Sequence, residues 1–403
     1  MQGGYRRAVP HSPVEPSPEG VRAGPADAPA EGVLDASRGP LHPLAARTLE
    51  AAVGVAWADP TRVHGPGRAA RAHLDTARAV LAGALGVRPG ELSVHPSAED
   101  ALAVGLEGLR HARRRTGDVV VAGAAERSVL LLRAGDAAPV PVDGLGRVDA
   151  AAWVAAVAAP GVAAAVLQTA NGEVGTRQPV ATLDAAARAA GVPLLLDATA
   201  SLGRDPLGPE GSVVVADAAS FGGPPLGLLG VRTGTRWSLP GPRAEAEQGR
   251  VLAAPWVPLV LAAAEAWRQT EAAAAEDATQ ARALVARVRA AAAGIRDVEV
   301  LGDPDDRLPH VVTFSVLLAD GEALVDELAR RGLAVASGSA CTSSVLRPSH
   351  VLAAMGVLTH GNVRVVLPLA SVSPGREADV ERLRAELTDA VRTVRRRMGT
   401  EDL

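Results

Sequence analysis

Short apolar runs alternating with stretches of helical periodicity set the limits on what this 403-residue chain can fold into. Leu92 to His95, Asp118 to Ala122, Val162 to Gln168, Pro193 to Asp197, Val213 to Val215 and Leu228 to Val231 have the length and composition of buried strands. His64 to Leu85, about Ala98 to Arg113, a stretch from Ala125, and Ala181 to Ala190 have helix-forming composition. The alternation predicts an α/β layer architecture, a large domain with a mostly parallel sheet flanked by helices. Ligands in such sheets sit at the carboxyl ends of strands, which singles out Asn171, Asp197 and the segment Asp217 to Phe221.

The second half reads differently. An alanine-rich helix from about Pro258 to Ala293 is long enough to bridge two lobes. Strands at Val298 to Leu301, His310 to Val316, Leu333 to Ala336 and Val363 to Leu367, with helices at Glu322 to Arg331 and Glu377 to Arg397, predict a smaller α+β domain. The expected partition is a Pro/Gly-rich tail over 1–30, a large α/β domain over 31–255, a bridging helix over 256–295 and a small domain over 296–403. The tail holds six prolines and no apolar periodicity, a composition that favours disorder.

Composition narrows the function. A formal charge of −4 leaves no basic footprint for nucleic acid. No apolar run approaches the roughly 18 residues of a membrane span, and the first residues lack a signal-peptide core. A single cysteine excludes an internal disulfide and points to a reducing cytoplasm. No metal-ligand spacing is present. All 41 basic Lys and Arg positions are arginine, so no side-chain amine exists to form a Schiff base.

That one cysteine, Cys341, lies in Ala336-Ser337-Gly338-Ser339-Ala340-Cys341-Thr342-Ser343-Ser344, followed by Arg347-Pro348-Ser349-His350. Free cysteine is usually a small buried hydrophobe. These small, hydroxyl-rich surroundings instead predict a thiol on a loop, whose reactivity would require a lowered pKa.

Several segments together resemble the cysteine desulfurases, pyridoxal-phosphate enzymes of the class V aminotransferases and fold type I. The resemblance is collinear from about Leu34 to Arg397. It rests on Ser337 to Ser343 with Pro348-Ser349-His350-Val351-Leu352, on His64-Gly65-Pro66-Gly67-Arg68, on Asn171-Gly172-Glu173-Val174-Gly175 before Gln178-Pro179, on Asp197-Ala198-Thr199 and on Phe221-Gly222-Gly223-Pro224. It implies that Cys341 would carry a persulfide, that Asp197 and Asn171 would face the cofactor, and that Arg364 would hold the substrate carboxylate.

The departures from the family pattern point in one direction. The lysine that binds the cofactor, and the histidine before it, match Ser220 and Ala219. The phosphate-loop threonine matches Glu99 and the serine three before the lysine matches Asp217, so two carboxylates would face a phosphate, a repulsion of several kcal/mol at an effective dielectric near ~20. The stacking histidine is Arg127, an expected glutamine is Ala200, a second asparagine is Gly172, and the threonine lent by a neighbouring subunit matches Ala254. The resemblance with these losses implies a desulfurase-like pseudoenzyme with no covalently held pyridoxal phosphate. Its expected roles are persulfide relay through Cys341 to a sulfur-acceptor protein, or interaction partner, as a homodimer or paired with an active paralogue. The alternative is an active cysteine desulfurase with loosely bound cofactor.

Overall fold

A computed structural model describes residues 31–135, 137–241, 246–337 and 348–400. The expected tail and the residue Cys341 lie outside them.

A six-stranded sheet is built from β1 (Leu92–His95), β2 (Val119–Ala122), β3 (Val162–Gln168), β4 (Leu194–Asp197), β5 (Val213–Asp217) and β6 (Gly227–Val231), in the order β1-β6-β5-β4-β3-β2. Pairs β2–β3, β3–β4 and β4–β5 are parallel, while β6 runs antiparallel to both neighbours. Strands β3 to β6 are buried at every position, which is why their sequences are continuous apolar runs rather than alternating ones.

Helices cover both faces. On one, α3 (Ala98–Arg113) sets Ala101, Leu102, Leu106 and Leu109 against Val120, Val166, Leu195, Val213 and Leu229. Gly108 of this helix has no side chain because the Trp237 ring occupies the space where a Cβ would stand. The other face packs against α1 (Pro43–Val55), α2 (Gly65–Ala84), α5 (Ala150–Val157), α6 (Val180–Ala189) and the first half of α7 (Val257–Ala293). Between β2 and α5, the short α4 is Ser128–Ala134.

A second sheet, β7 (Val298–Val300), β8 (Val311–Val316) and β9 (Asn362–Val366), is antiparallel throughout. It packs with α8 (Gly321–Arg330), α10 (Arg376–Met398) and the last turns of α7, so α7 contributes to both cores over its 37 residues. The small α9 (His350–Met355) follows Ser349, whose hydroxyl accepts from the Leu352 N–H as its N-cap.

The structure adds helices α1, α5 and α9 to the sequence reading and differs from it in three further places. The helix expected from Ala125 begins only at Ser128, because Gly123 to Arg127 form a turn. The expected strand Leu333 to Ala336 is two isolated bridges, from Ala334 to Val33 and from Ala336 to Arg364, since no single strand lies alongside all four residues. Residues Val33 to Ala36 run along the second sheet: the Ala36 N–H donates to the Val366 carbonyl and the Leu34 N–H to Ala334.

Candidate functional site

Four segments meet at the carboxyl ends of β3, β4 and β5. Asp197 closes β4 and is buried; its Oδ1 accepts from the Thr199 N–H at 2.8 Å, and its Oδ2 has no hydrogen-bond partner among the described residues. Asp217 closes β5, where its Oδ1 accepts from the Ala219 N–H at 3.0 Å and caps the turn Ala218–Phe221. Burial raises the Asp217 pKa and nearby Glu99 adds to the rise, while the Ala219 hydrogen bond, Arg127 and Arg38 oppose it.

Ser220 sits in that turn. Its hydroxyl faces two carbonyl oxygens, Asp217 O at 2.7 Å and Leu202 O at 2.8 Å, so it is a donor with no base beside it and is not an activated nucleophile.

Glu99 occupies the first turn of α3. It accepts from Arg127 Nη2 at 2.9 Å and from Arg38 Nη2 at 2.8 Å, and Arg127 Nη1 donates to Thr199 Oγ1 at 3.1 Å. Burial pushes the Glu99 carboxyl up, but its own backbone N–H, Arg127 and Arg38 outweigh that and hold it below the usual range. Glu99 and Arg127, each of which departs from the family pattern, are thus bonded to each other. Their side chains are 37 % and 38 % exposed, which limits what the pair contributes to stability to about 1 kcal/mol.

Glu126 is fully buried beside Asp197. Its Oε1 accepts from the Gln168 N–H at 2.9 Å and its Oε2 has no hydrogen-bond partner among the described residues. Burial drives its pKa well above the normal value, Gln168 offsets part of the rise, and Asp197 adds to it. Asn171 is spent on structure: Nδ2 donates to Ala125 O at 3.1 Å, and Oδ1 accepts from the N–H groups of Glu173 and Val174. Gly172 and Ala200 face each other, a Cβ on Gly172 falling 3.2 Å from Ala200 Cβ.

Arg364, on β9, is buried, and its Nε has no hydrogen-bond partner among the described residues. Beside it, Glu173 Oε2 accepts from Ser349 Oγ at 2.9 Å while Oε1 has no hydrogen-bond partner among the described residues. Burial raises the Glu173 pKa to about 7 against the opposing pull of Ser349 and Arg364. His350 Nε2 contacts Glu126 O at 2.8 Å, so Ser349 and His350 are both held by the large sheet's loops.

Sequence reasoning missed Arg38, Thr199 Oγ1 and Glu126 as members of this network. It also missed a Ser-His-Asp chain in which Ser93 Oγ lies 3.1 Å from His95 Nε2 and His95 Nδ1 lies 2.8 Å from Asp100 Oδ2. Ser93 is completely buried and also bonds Leu229 O, so that chain ties β1 to α3 and is closed to substrate. Among the described residues no cluster has the composition of a metal site.

The chain is 34 % identical over 383 residues, 89 % of its length and 95 % of the relative's, to the IscS-like cysteine desulfurase of Mycobacterium tuberculosis. The chain belongs to the cysteine desulfurase family. A cysteine desulfurase of Cereibacter sphaeroides is 32 % identical over 327 residues, 77 % of this chain and 84 % of that one. The aminotransferase class-V family pattern matches residues 241–383. Among solved structures, a NifS-like protein superposes with a TM-score of 0.80 at 20 % identity, covering 89 % of this chain and 98 % of its own, and shows the same fold.

Pyridoxal phosphate, the cofactor that membership in this family implies, does not fit the residues present. One feature suits it: the buried Asp197 Oδ2 is an acceptor facing no donor among the described residues. The rest oppose it. No lysine exists in this desulfurase homologue, Ser220 is turned to carbonyls, the carboxylate of Glu99 stands at the N-terminus of α3 where a phosphate would be drawn, and Arg127 bridges Thr199 and Glu99 across the same ground.

Proposed function

We propose that this member of the cysteine desulfurase family is a pseudoenzyme that works without covalently bound pyridoxal phosphate, in the cytoplasm, either as an interaction partner or as a persulfide relay through Cys341. The observation that carries the reading is Ser220: it holds the position of the family lysine in a chain with no lysine, and its hydroxyl is committed to backbone carbonyls. The site offers no amine for a Schiff base.

In a relay, the Cys341 thiolate attacks the outer sulfur of a persulfide on an active desulfurase. A new S–S bond forms as the old one breaks, the donor leaves as a thiolate, and there is no net oxidation. The acceptor's thiolate then repeats the exchange. A scaffold role needs only the surface. The partner we infer is a second copy of this chain or an active paralogue, seated on the apolar surface around Trp57, Leu252 and Trp256.

The test has two steps. Purified protein mixed with pyridoxal phosphate and cysteine is expected to develop no visible band of lysine-bound cofactor and to release no sulfide; either signal would establish the active enzyme instead. Intact mass after incubation with an active desulfurase and cysteine then separates the roles. A gain of one sulfur, abolished in Cys341→Ser, supports the relay, and no gain supports the scaffold.

A further inference from the structure

The Glu99 carboxylate is held as a bound anion would be. One oxygen, Oε1, accepts from two guanidinium groups at once, Arg38 Nη2 at 2.8 Å and Arg127 Nη2 at 2.9 Å. They come from distant parts of the chain. Arg38 lies on the segment that leaves the second sheet at Ala36 and meets the large domain at His42, whose N–H donates to the Gly222 carbonyl. Arg127 is fixed on its other side by Thr199 Oγ1. The backbone N–H of Glu99 itself and the hydroxyl of Ser97, the N-cap of α3, also donate to this carboxylate.

Two charged donors, a hydroxyl and a backbone N–H converging in the first turn of a 16-residue helix are the surroundings in which a phosphate group is bound. Here a side chain of the protein fills them. The charges also balance with no ligand present: Arg38 and Arg127 stand against Glu99 and Asp217, and these are the four charged groups that act on one another at this end of α3. A phosphate dianion brought beside the two carboxylates would meet like charge. With Glu99 removed, two cations would face one acid.

We propose that Glu99 is a specificity-determining residue, whose carboxylate takes the place of a phosphate group between Arg38, Arg127 and the N-terminus of α3 and bars phosphate monoesters from the site. The inference rests on the reading of this chain as a pseudoenzyme and separates two losses within it. Ser220 removes covalent attachment of a cofactor, whereas Glu99 removes affinity for the phosphate that such a cofactor carries. The fold therefore stands with no ligand at this position.

The test vacates the position. Glu99 is partly exposed, so Glu99→Ala and Glu99→Gln should keep the far-ultraviolet spectrum of the wild type. Melting temperatures are compared in millimolar sodium phosphate and in sodium chloride of the same ionic strength. The wild type should melt at the same temperature in both, while each variant should gain about 1–2 °C for each tenfold increase in phosphate above its Kd. Titration calorimetry with inorganic phosphate should likewise give saturable heat in the variants and none in the wild type. Arg127→Gln added to Glu99→Ala should abolish the gain, which ties it to this set of donors. A phosphate response in the wild type, or variants as indifferent to phosphate as the wild type, would overturn the proposal. Neither result touches the pseudoenzyme reading, which stands or falls on the lysine-bound band and the release of sulfide.

Discussion

Glu99 and Arg127 show how a substitution read alone can mislead. Each departs from the family pattern, and in sequence each reads as a lost cofactor contact; in the structure they are one ion pair at 2.9 Å, shared with Arg38. The pairing was invisible in sequence because the two lie 28 residues apart with no periodicity linking them. The placement of Asp197 and Asp217 was legible, because strand ends follow from apolar run length. A consequence can be measured. Ser220→Lys alone should gain no visible band with pyridoxal phosphate, since Glu99, Asp217 and Arg127 remain; Ser220→Lys combined with Glu99→Thr, Arg127→His and Asp217→Ser should gain one. A band in the single variant would show that the lysine alone was wanting. Glu173 gives a second test, on pH. Its folded pKa of about 7 lies above the ordinary carboxyl value of 4.5, so between these limits the folded state keeps a proton that the unfolded state has released. The stability this confers is present below 4.5 and lost as pH rises to about 7, a fall of ~3 kcal/mol by linkage. Glu173→Gln retains an acceptor for Ser349 and removes the titration, so its denaturation free energy should decline less than the wild type's between these limits. Parallel curves for the two proteins would assign the pH dependence elsewhere.

Among the elements, those with long uniform signals were legible, whereas two helices with little buried surface were not. Strands β3 to β5 announce themselves as apolar runs, and α7 and α10 as long helix-forming segments. Helices α1 and α5 escaped because each buries only two residues, Ala45 and Ala52 in α1 and Trp153 and Val157 in α5, too few to set an apolar stripe against the other faces. The element that joins the two sheets is α7, and one residue on it tests that joint. Asp277 takes the Arg376 guanidinium and the Ala370 N–H together. Asp277→Ala leaves two buried guanidinium groups, those of Arg204 and Arg376, with no carboxylate and should cost about 3–5 kcal/mol in urea denaturation, against about 1 kcal/mol or less for an exposed pair such as Arg287–Glu377 broken by Glu377→Ala. Equal costs for the two variants would mean that solvent reaches the joint.

At the scale of the whole molecule, the surface poses the question that the fold leaves open. Trp57, Leu252 and Trp256 are 61 %, 92 % and 48 % exposed around a cleft of about 440 Å³ that Ala254 also lines. Apolar side chains grouped in this way mark an association surface, whereas scattered ones need no explanation. The segment leading into it is held in an unfavourable conformation: Glu247 and Gln248 have φ of 50° and 58°, in the left-handed region that costs non-glycine residues about 1–3 kcal/mol. The Arg78 guanidinium grips both Glu247 carboxylate oxygens, and Glu247 Oε2 also accepts from the Val94 N–H, so the buried network fixes the direction in which residues 246–256 leave the sheet. A segment aimed outward at the expense of backbone strain, and ending in exposed tryptophan and leucine, fits a surface completed by a partner. Light scattering at micromolar concentration should therefore give twice the chain mass for the wild type. Leu252→Glu, at a position with almost no intramolecular contact to lose, should give the single-chain mass with an unchanged far-ultraviolet spectrum. A wild type that runs as a monomer would remove the homodimer and leave an active paralogue as the occupant, which co-expression followed by the same mass measurement would detect.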